Sequence, residues 1–188
     1  MTPEERARAL RVEAGEVLGL VHLHEVCSGV GEIVPTGSYF LDVMMYPDID
    51  VYLPPTSAKA LMEVGTRLAS LDCVKRMNFE KGGPGDLADG LYLKPVVEHG
   101  HWERPWKIDI WSLPLPVIAN KQEELVELRR KMTVGHRQRI LAYKWSVMTD
   151  TGRTPMLSGI HIYRAVIDKG LTDSESITSY LRENGIDI

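Results

Sequence analysis

Hydrophobic and polar residues along this chain follow two different periods, one typical of β-strands and one typical of α-helices. Short, largely apolar runs have the length of strands, and they lie at residues 32–36, 48–53, 73–80, 91–98 and 106–113. Pro47 cannot donate to a strand ladder, but it is acceptable where the second of these runs begins. The glycine-rich residues 81–86 predict a turn between the third and fourth runs.

Helical patterns fill the segments before and between the first strands, and they dominate the chain after residue 120. The run Thr2-Pro3-Glu4-Glu5 is typical of a helix start, because it combines a capping residue, an early proline and acids in the first turn. This first helix is predicted to continue to about Glu25. Further helices are predicted at 38–46, 58–71, 123–132, 136–148, 158–169 and 174–184.

The order of these elements is helix, strand, helix, strand, helix, three strands and then helices. It predicts an α/β or α+β fold in which a mixed β-sheet is flanked by helices, followed by a C-terminal helical region. With 188 residues, the chain is expected to form either one compact domain or a main domain with a smaller helical extension. We place the core at residues 1–116 and the helical region, packed on that core, at 117–188.

Composition excludes few functions. The net charge of −4 gives no general attraction to nucleic acids or anionic membranes, so a nucleic-acid partner is not expected, although a local basic patch remains open. Cys27 and Cys73 are too few for a disulfide framework and lack the spacing of metal ligands, which favours two reduced thiols in a cytoplasmic protein. No apolar segment approaches the 18 or so residues that a membrane span needs.

The candidate chemistry begins with Gly37-Ser38, which is followed ten residues after the serine by Asp48-Ile49-Asp50. In a strand, alternate side chains share a face, so the two carboxylates would point the same way, roughly 7 Å apart along the strand. Like charges on one face repel each other. A divalent cation between them removes that conflict, and hard carboxylate oxygens suit Mg²⁺.

A third carboxylate, Asp109, lies in a later predicted strand, where it alternates with Ile108 and Ile110. If this strand lies beside the one that carries Asp48 and Asp50, the three carboxylates converge. The plainer alternative is a turn carboxylate and two exposed strand carboxylates with no shared role. The Gly-Ser pair upstream and Asp109 downstream together favour the metal site.

The combination of Gly37-Ser38, Asp48-x-Asp50 and Asp109 resembles the signature of the nucleotidyltransferase superfamily, the DNA polymerase β-like group. The resemblance covers about residues 30–115 and implies a nucleotidyltransferase-like mixed sheet, with residues 1–116 as the catalytic core. Chain length and layout are similar to the small-molecule branch of the superfamily, and also to minimal nucleotidyltransferases that modify partner proteins.

The resemblance implies a Mg²⁺-dependent enzyme that moves a nucleoside monophosphate from an NTP such as ATP to an acceptor hydroxyl, releasing pyrophosphate. The acceptor would belong to a small molecule, such as an aminoglycoside-like antibiotic, or to a protein. Asp48, Asp50 and Asp109 would be catalytic and hold one or two metal ions. Gly37 and Ser38 would bind the nucleotide's phosphates.

Other predicted site residues depend on weaker signals. Lys144 and Tyr163 are predicted nucleotide contacts, because related enzymes hold the triphosphate or base with lysines and aromatic residues from C-terminal helices. Triphosphate binding and a solvated helix face are equally favoured for the basic run formed by Arg129, Arg130, Lys131, His136, Arg137, Arg139 and Lys144.

Two further interpretations remain open. Glu98 or Glu103, near His99 and His101, is a possible general base toward the acceptor, although a polar loop is the simpler reading. The alternative to an enzyme is a non-catalytic, antitoxin-like binding or regulatory module of the same fold. Pyrophosphokinase chemistry is more remote, because the chain lacks the dense basic motifs expected of that group.

Overall fold

The structure is a computed structural model, and it describes residues 1–149, 152–155 and 158–188. Its α-helices are, in chain order, α1 (Pro3–Leu20), α2 (Leu23–Cys27), α3 (Gly37–Leu41), α4 (Ala58–Ala69), α5 (Leu115–Lys131), α6 (Val134–Ser146), α7 (Ser158–Ile167) and α8 (Ser174–Glu183). Its strands are β1 (Val34–Thr36), β2 (Asp48–Leu53), β3 (Val74–Lys81), β4 (Leu91–Val97) and β5 (Trp106–Ser112).

The strands form one sheet in the order β1-β2-β5-β4-β3. Strands β2 and β5 run parallel, whereas the other neighbouring pairs run antiparallel. The parallel pair joins strands that are distant in sequence, and α4, β3 and β4 make up most of the connection between them. The predicted mixed sheet flanked by helices is therefore confirmed.

One face of the two central strands is buried in the main hydrophobic core. Ile49, Val51 and Leu53 of β2 and Ile108 and Ile110 of β5 are fully buried there. Burying side chains of this size stabilises the fold by about 1.5–3 kcal/mol each. Because strand residues alternate between faces, burial of this set places the residues between them on the opposite face of the sheet.

A second hydrophobic cluster joins the C-terminal helices to the segment that leads into β2. Leu128 of α5, Leu141 of α6, Val166 of α7 and Leu181 of α8 are buried in it. Leu41, Val43 and Met45 belong to the same cluster, and so does Ala7 of α1. The helical region therefore packs beside the chain that delivers β2 to the sheet.

Two predicted helices end earlier than their patterns suggested, for the same reason. The first was expected to reach Glu25, but α1 ends at Leu20, and His22 takes a left-handed backbone conformation with φ of 49°. The second was expected to span 38–46, but Asp42, with φ of 57°, ends α3 at Leu41. A left-handed residue cannot continue a right-handed helix, and hydrophobic periodicity does not reveal it.

Helix α5 begins earlier than predicted. The sequence predicts a helix from residue 123, because Pro114 and Pro116 are expected to separate the sheet from the helices. The structure instead starts the helix at Leu115, with a proline in its first turn. The first turn tolerates proline because its N–H groups have no partner within the helix.

Among the described residues, no helix is long and apolar enough to span a membrane. Cys27 is buried, Cys73 is partly buried, and both are free thiols. Burial raises the pKa of Cys27 to about 11, so this thiol is held in its neutral form.

Candidate metal centre

The parallel pairing of β2 with β5 brings the three predicted carboxylates together. Asp50 is paired with Asp109, and Asp48 is paired with Lys107. All four residues alternate with buried isoleucines, so they share the face of the sheet opposite the main core. Asp48, Asp50 and Asp109 each offer a carboxylate oxygen, and these oxygens all lie within 4.8 Å of one another.

The turn that contains Gly37 approaches this cluster from β1. Thr36 of β1 is paired with Asp50, so Gly37 follows at the point where the chain turns into α3. Gly37 has φ of 59°, and a Cβ atom at this position would overlap Oδ2 of Asp50. Glycine is therefore required here both by the backbone conformation and by the close approach to the carboxylate.

Ser38 lies in the first turn of α3, and its side chain is partly buried. Its hydroxyl makes no hydrogen bond within the described part of the chain, so it is free to bind a ligand. This helix has five residues, which is shorter than predicted.

Two residues that the sequence did not single out complete the inner surroundings of the cluster. The Nζ atom of Lys107 lies 3.0 Å from Oδ1 of Asp48 and 2.6 Å from Oδ2 of Asp109. The hydroxyl of Tyr92, on β4, donates a hydrogen bond of 2.6 Å to the other oxygen of Asp109. Lys107 precedes Asp109 by two residues, so strand alternation alone places it on the same face.

The electrostatics of the cluster are unfavourable without a further cation. Burial raises the pKa of Asp48, an effect that Lys107 opposes and Asp109 reinforces. The pKa of Asp50 is raised well above its usual range, first by burial and then by the charges of Asp48 and Asp109. Oδ1 of Asp48 is buried, and the ammonium group of Lys107, at 3.0 Å, is its ion-pair partner.

This donor set fits a hard divalent cation. Three carboxylates that converge from neighbouring strands provide oxygen ligands only, which is the chemistry that Mg²⁺ prefers. A divalent ion would also neutralise charges that are otherwise costly to bury. The residues present therefore match the metal site expected from the sequence, while the identity of the metal remains a proposal.

Lys144 and Tyr163, the predicted nucleotide contacts, are both buried near the cluster, with exposed fractions of 1% and 3%. The Nζ atom of Lys144 donates a hydrogen bond of 2.7 Å to the carbonyl of Val43 and lies 5.8 Å from the centre of the Tyr163 ring. Burial lowers the pKa of Lys144 to about 8, against the opposing effect of Asp48 and Asp50. Their contact with a nucleotide stays a prediction.

Four other residues of the basic run make contacts away from the carboxylates. Arg130 and Lys131 pair with Glu127, and Lys131 also pairs with Asp168. Arg137 pairs with Asp42, and Arg129 lies over the ring of Phe40. These contacts agree with the solvated helix face rather than with a triphosphate-binding surface.

The polar loop after β4 also has structural partners. Glu98 pairs with Lys75, and His99 contacts Glu16. Glu103 accepts two hydrogen bonds, of 2.8 and 2.6 Å, from the guanidinium of Arg6, which lowers the pKa of this carboxyl to about 2. These contacts favour the polar-loop interpretation over a general base.

Arg6 has a second role that the sequence did not reveal. Its side chain is buried, and its Nε atom donates a hydrogen bond of 2.7 Å to the carbonyl of Met45. Arg6 thereby ties the segment before β2 to the segment before β5, which carries Glu103. Since β2 and β5 carry the three carboxylates, this buried arginine helps to fix their relative position.

No protein-family model matches the sequence, and no curated protein is detectably similar to it. Solved structures do resemble it. A cytoplasmic RNA terminal U-transferase aligns with a TM-score of 0.50 and 14% identity, over 74% of this chain and 41% of that one. The GLD-2/RNP-8 complex aligns with a TM-score of 0.53 and 13% identity, over 87% of this chain and 65% of that one.

These likenesses, together with the mixed sheet, show the fold of the chain. The chain has the fold of the nucleotidyltransferase superfamily, the DNA polymerase β-like group, so the resemblance inferred from the sequence is confirmed at the level of the fold. The chain spans less than two thirds of the length of either structure.

Proposed function

We propose that this protein is a metal-dependent nucleotidyltransferase. It would transfer a nucleoside monophosphate from an NTP to an acceptor hydroxyl and release pyrophosphate. The observation that carries this proposal is the convergence of Asp48, Asp50 and Asp109 within 4.8 Å on the sheet face opposite the main core, beside the Gly37 turn.

Asp48, Asp50 and Asp109 would hold Mg²⁺, which supplies neutralisation of the phosphate charges and lowers the barrier to displacement at the α-phosphorus. In the reaction, the acceptor oxygen forms a bond to the α-phosphorus while the bond from that phosphorus to the bridging oxygen breaks. The leaving pyrophosphate takes the electron pair of the broken bond.

The chain's own residues would position the reactants around that centre. The backbone at Gly37 would let phosphate oxygens approach closely, and the hydroxyl of Ser38 would donate a hydrogen bond to one of them. Asp109 is the carboxylate that would accept the proton of the acceptor hydroxyl. Tyr92 fixes the orientation of Asp109 by donating to its Oδ1 atom.

Three classes of acceptor hydroxyl are candidates for this reaction. Small-molecule and protein hydroxyls are the acceptors expected from the sequence. An RNA hydroxyl is a third class to test, because one structural neighbour is an RNA terminal U-transferase. The net charge of −4 argues against strong binding of a long nucleic acid through its phosphates.

The test is transfer of label from each of the four α-³²P-labelled NTPs in the presence of Mg²⁺ or Mn²⁺. Separate reactions would contain small-molecule aminosugars, cellular protein and short RNA as acceptors. We expect transfer in one of them, its loss in Asp50→Asn, and unchanged activity in Asp72→Asn, which alters an exposed aspartate outside the site. The proposal fails if no NTP is transferred to any acceptor and none binds in a metal-dependent manner.

A non-catalytic binding module of the same fold is the second candidate. The observation that favours it is the pairing of Lys107 with both Asp48 and Asp109, which partly neutralises the cluster without a metal. Metal-dependent nucleotide binding without turnover, in wild-type protein that has been offered all three acceptor classes, would support this candidate over the enzyme.

A further inference from the structure

Lys107 lies where a metal ion would be expected to bind. It is on β5, paired with Asp48 of β2 and two residues before Asp109. Its ammonium nitrogen is 3.0 Å from one carboxylate and 2.6 Å from the other, and its side chain is 18% exposed. The ammonium group therefore bridges two of the three carboxylates as their internal counter-ion.

We propose that the Lys107 ammonium group occupies a cation position between Asp48 and Asp109 in the metal-free protein, and that a divalent ion displaces it on binding. Lys107 is then a positioning residue, which holds the carboxylates in place for the ion and sets the affinity of the site. This inference depends on the proposed function, since the ion is the metal of that reaction.

The lysine nitrogen and a divalent ion compete for the same space. Mg²⁺ binds carboxylate oxygens at about 2.0–2.1 Å. An ion that bridges Oδ1 of Asp48 and Oδ2 of Asp109 would lie in the space that the lysine nitrogen now fills. The ammonium group and the ion cannot bridge the same two oxygens at once, so one must leave for the other to bind.

Contacts other than those with Lys107 hold Asp109 and Asp50 when the lysine withdraws. Oδ1 of Asp109 is still held by the hydroxyl of Tyr92, so this carboxylate keeps its orientation. Asp50 makes no ion pair with Lys107 and stays beside Gly37. A lysine suits the role because its compact ammonium group is carried on a flexible stem, which can swing toward solvent.

The test is Mn²⁺ binding, measured by electron paramagnetic resonance of the free ion, in wild type, Lys107→Met and Lys75→Met. Lys75 is a matched control, because it also pairs with a carboxylate, Glu98 at 3.2 Å, but lies on β3, which β4 separates from β5. Removal of a charge-assisted contact should tighten binding about tenfold in Lys107→Met. In Lys75→Met the change should stay within about twofold.

A second measurement uses the wild-type protein, in case Lys107→Met does not fold without metal. Lysine labelled with ¹⁵N at Nζ should give one slowly exchanging ammonium resonance for Lys107, assigned by its absence in Lys107→Arg. Saturation with Mg²⁺ should move it to the position of solvent-exposed lysines. If it stays unchanged while Mg²⁺ binds, the inference is wrong.

The outcomes separate the inference from the function on which it depends. If wild type and Lys107→Met bind Mn²⁺ equally well, or the variant binds it more weakly, Lys107 does not compete with the ion, while the proposed function stands. If neither protein binds Mn²⁺ even with an NTP present, the metal-dependent function fails and this inference fails with it.

Discussion

Replacing Asp50 by asparagine should make the metal-free protein more stable, although the same change should abolish activity. Asparagine keeps the shape of the side chain and removes one of three crowded negative charges. The reason for the opposite effects is that the cluster is arranged to hold a cation rather than to stabilise the folded chain.

The size of the effect follows from the geometry. Two unit charges 4.8 Å apart repel by about 3.5 kcal/mol at an effective dielectric constant of about 20. Asp50 has two such neighbours, Asp48 and Asp109, and Lys107 offsets part of their charge. We therefore expect a gain of about 2 kcal/mol or more at pH 7, which corresponds to about 4–8 °C in Tm for a chain of this length.

The gain should depend on pH in a defined direction. The pKa of Asp50 is raised in the folded state from its ordinary value of 3.8, so above that pH the folded wild type binds more protons than the unfolded chain. Its stability relative to the variant therefore falls as the pH rises. The advantage of Asp50→Asn should be small near pH 4 and larger at pH 7.

Thermal and urea unfolding in EDTA at pH 4 and pH 7 would measure this difference, with Asp72→Asn as a control for loss of an exposed carboxylate. Added Mg²⁺ should then stabilise the wild type more than Asp50→Asn, since ligand binding to the folded state raises its stability. An Asp50→Asn protein that is less stable than wild type in EDTA at pH 7 would refute this reasoning.

Three further substitutions test the surroundings of the cluster. Gly37→Ala should lose about 1–2 kcal/mol of unfolding free energy from backbone strain, and should weaken Mn²⁺ binding by displacing Asp50, as urea unfolding and an ion titration would show. In the wild type, burial of the charged Lys144 lowers the free energy of unfolding by about 3 kcal/mol below pH 8, and this loss disappears as the pH rises to 10.5. Lys144→Met has no such loss. Urea unfolding should therefore show the wild type becoming more stable relative to the variant between pH 8 and 10.5. Glu103→Gln should lower the free energy of unfolding by about 1 kcal/mol at pH 7, because it removes an ion pair with Arg6 in which Glu103 is half exposed. As the pH falls from 4.5 to 2, Glu103 of the wild type loses its charge. The stabilities of wild type and variant should therefore become equal in acid.

The elements that the sequence predicts best are those in which periodicity and burial agree. The strand around Asp109 is an example, because Ile108 and Ile110 are both fully buried and leave only one face for the carboxylate. The pairing of that strand with β2 is harder to predict, because it depends on contacts between residues that are distant in sequence. Here the family signature, not periodicity, pointed to the convergence of the carboxylates.

Several features of the structure were not predicted, and the pattern of hydrophobic residues does not contain the information that determines them. The left-handed residues His22 and Asp42 end helices without any change in hydrophobicity. Lys107 could have been noticed, since it shares a face with Asp109 by simple alternation. Arg6 could not, because its contacts with Met45 and Glu103 join segments of the chain that only the folded structure brings together.

The central claim is that Asp48, Asp50 and Asp109 hold the metal for nucleotidyl transfer. A crystal grown with Mn²⁺ and an NTP analogue that cannot be cleaved between the α- and β-phosphates tests it most directly. Our account predicts anomalous Mn²⁺ peaks bridging these carboxylates and the nucleotide's phosphates, with the phosphates against the Gly37 turn. A nucleotide bound elsewhere, or bound with no Mn²⁺ on the three carboxylates, would contradict it.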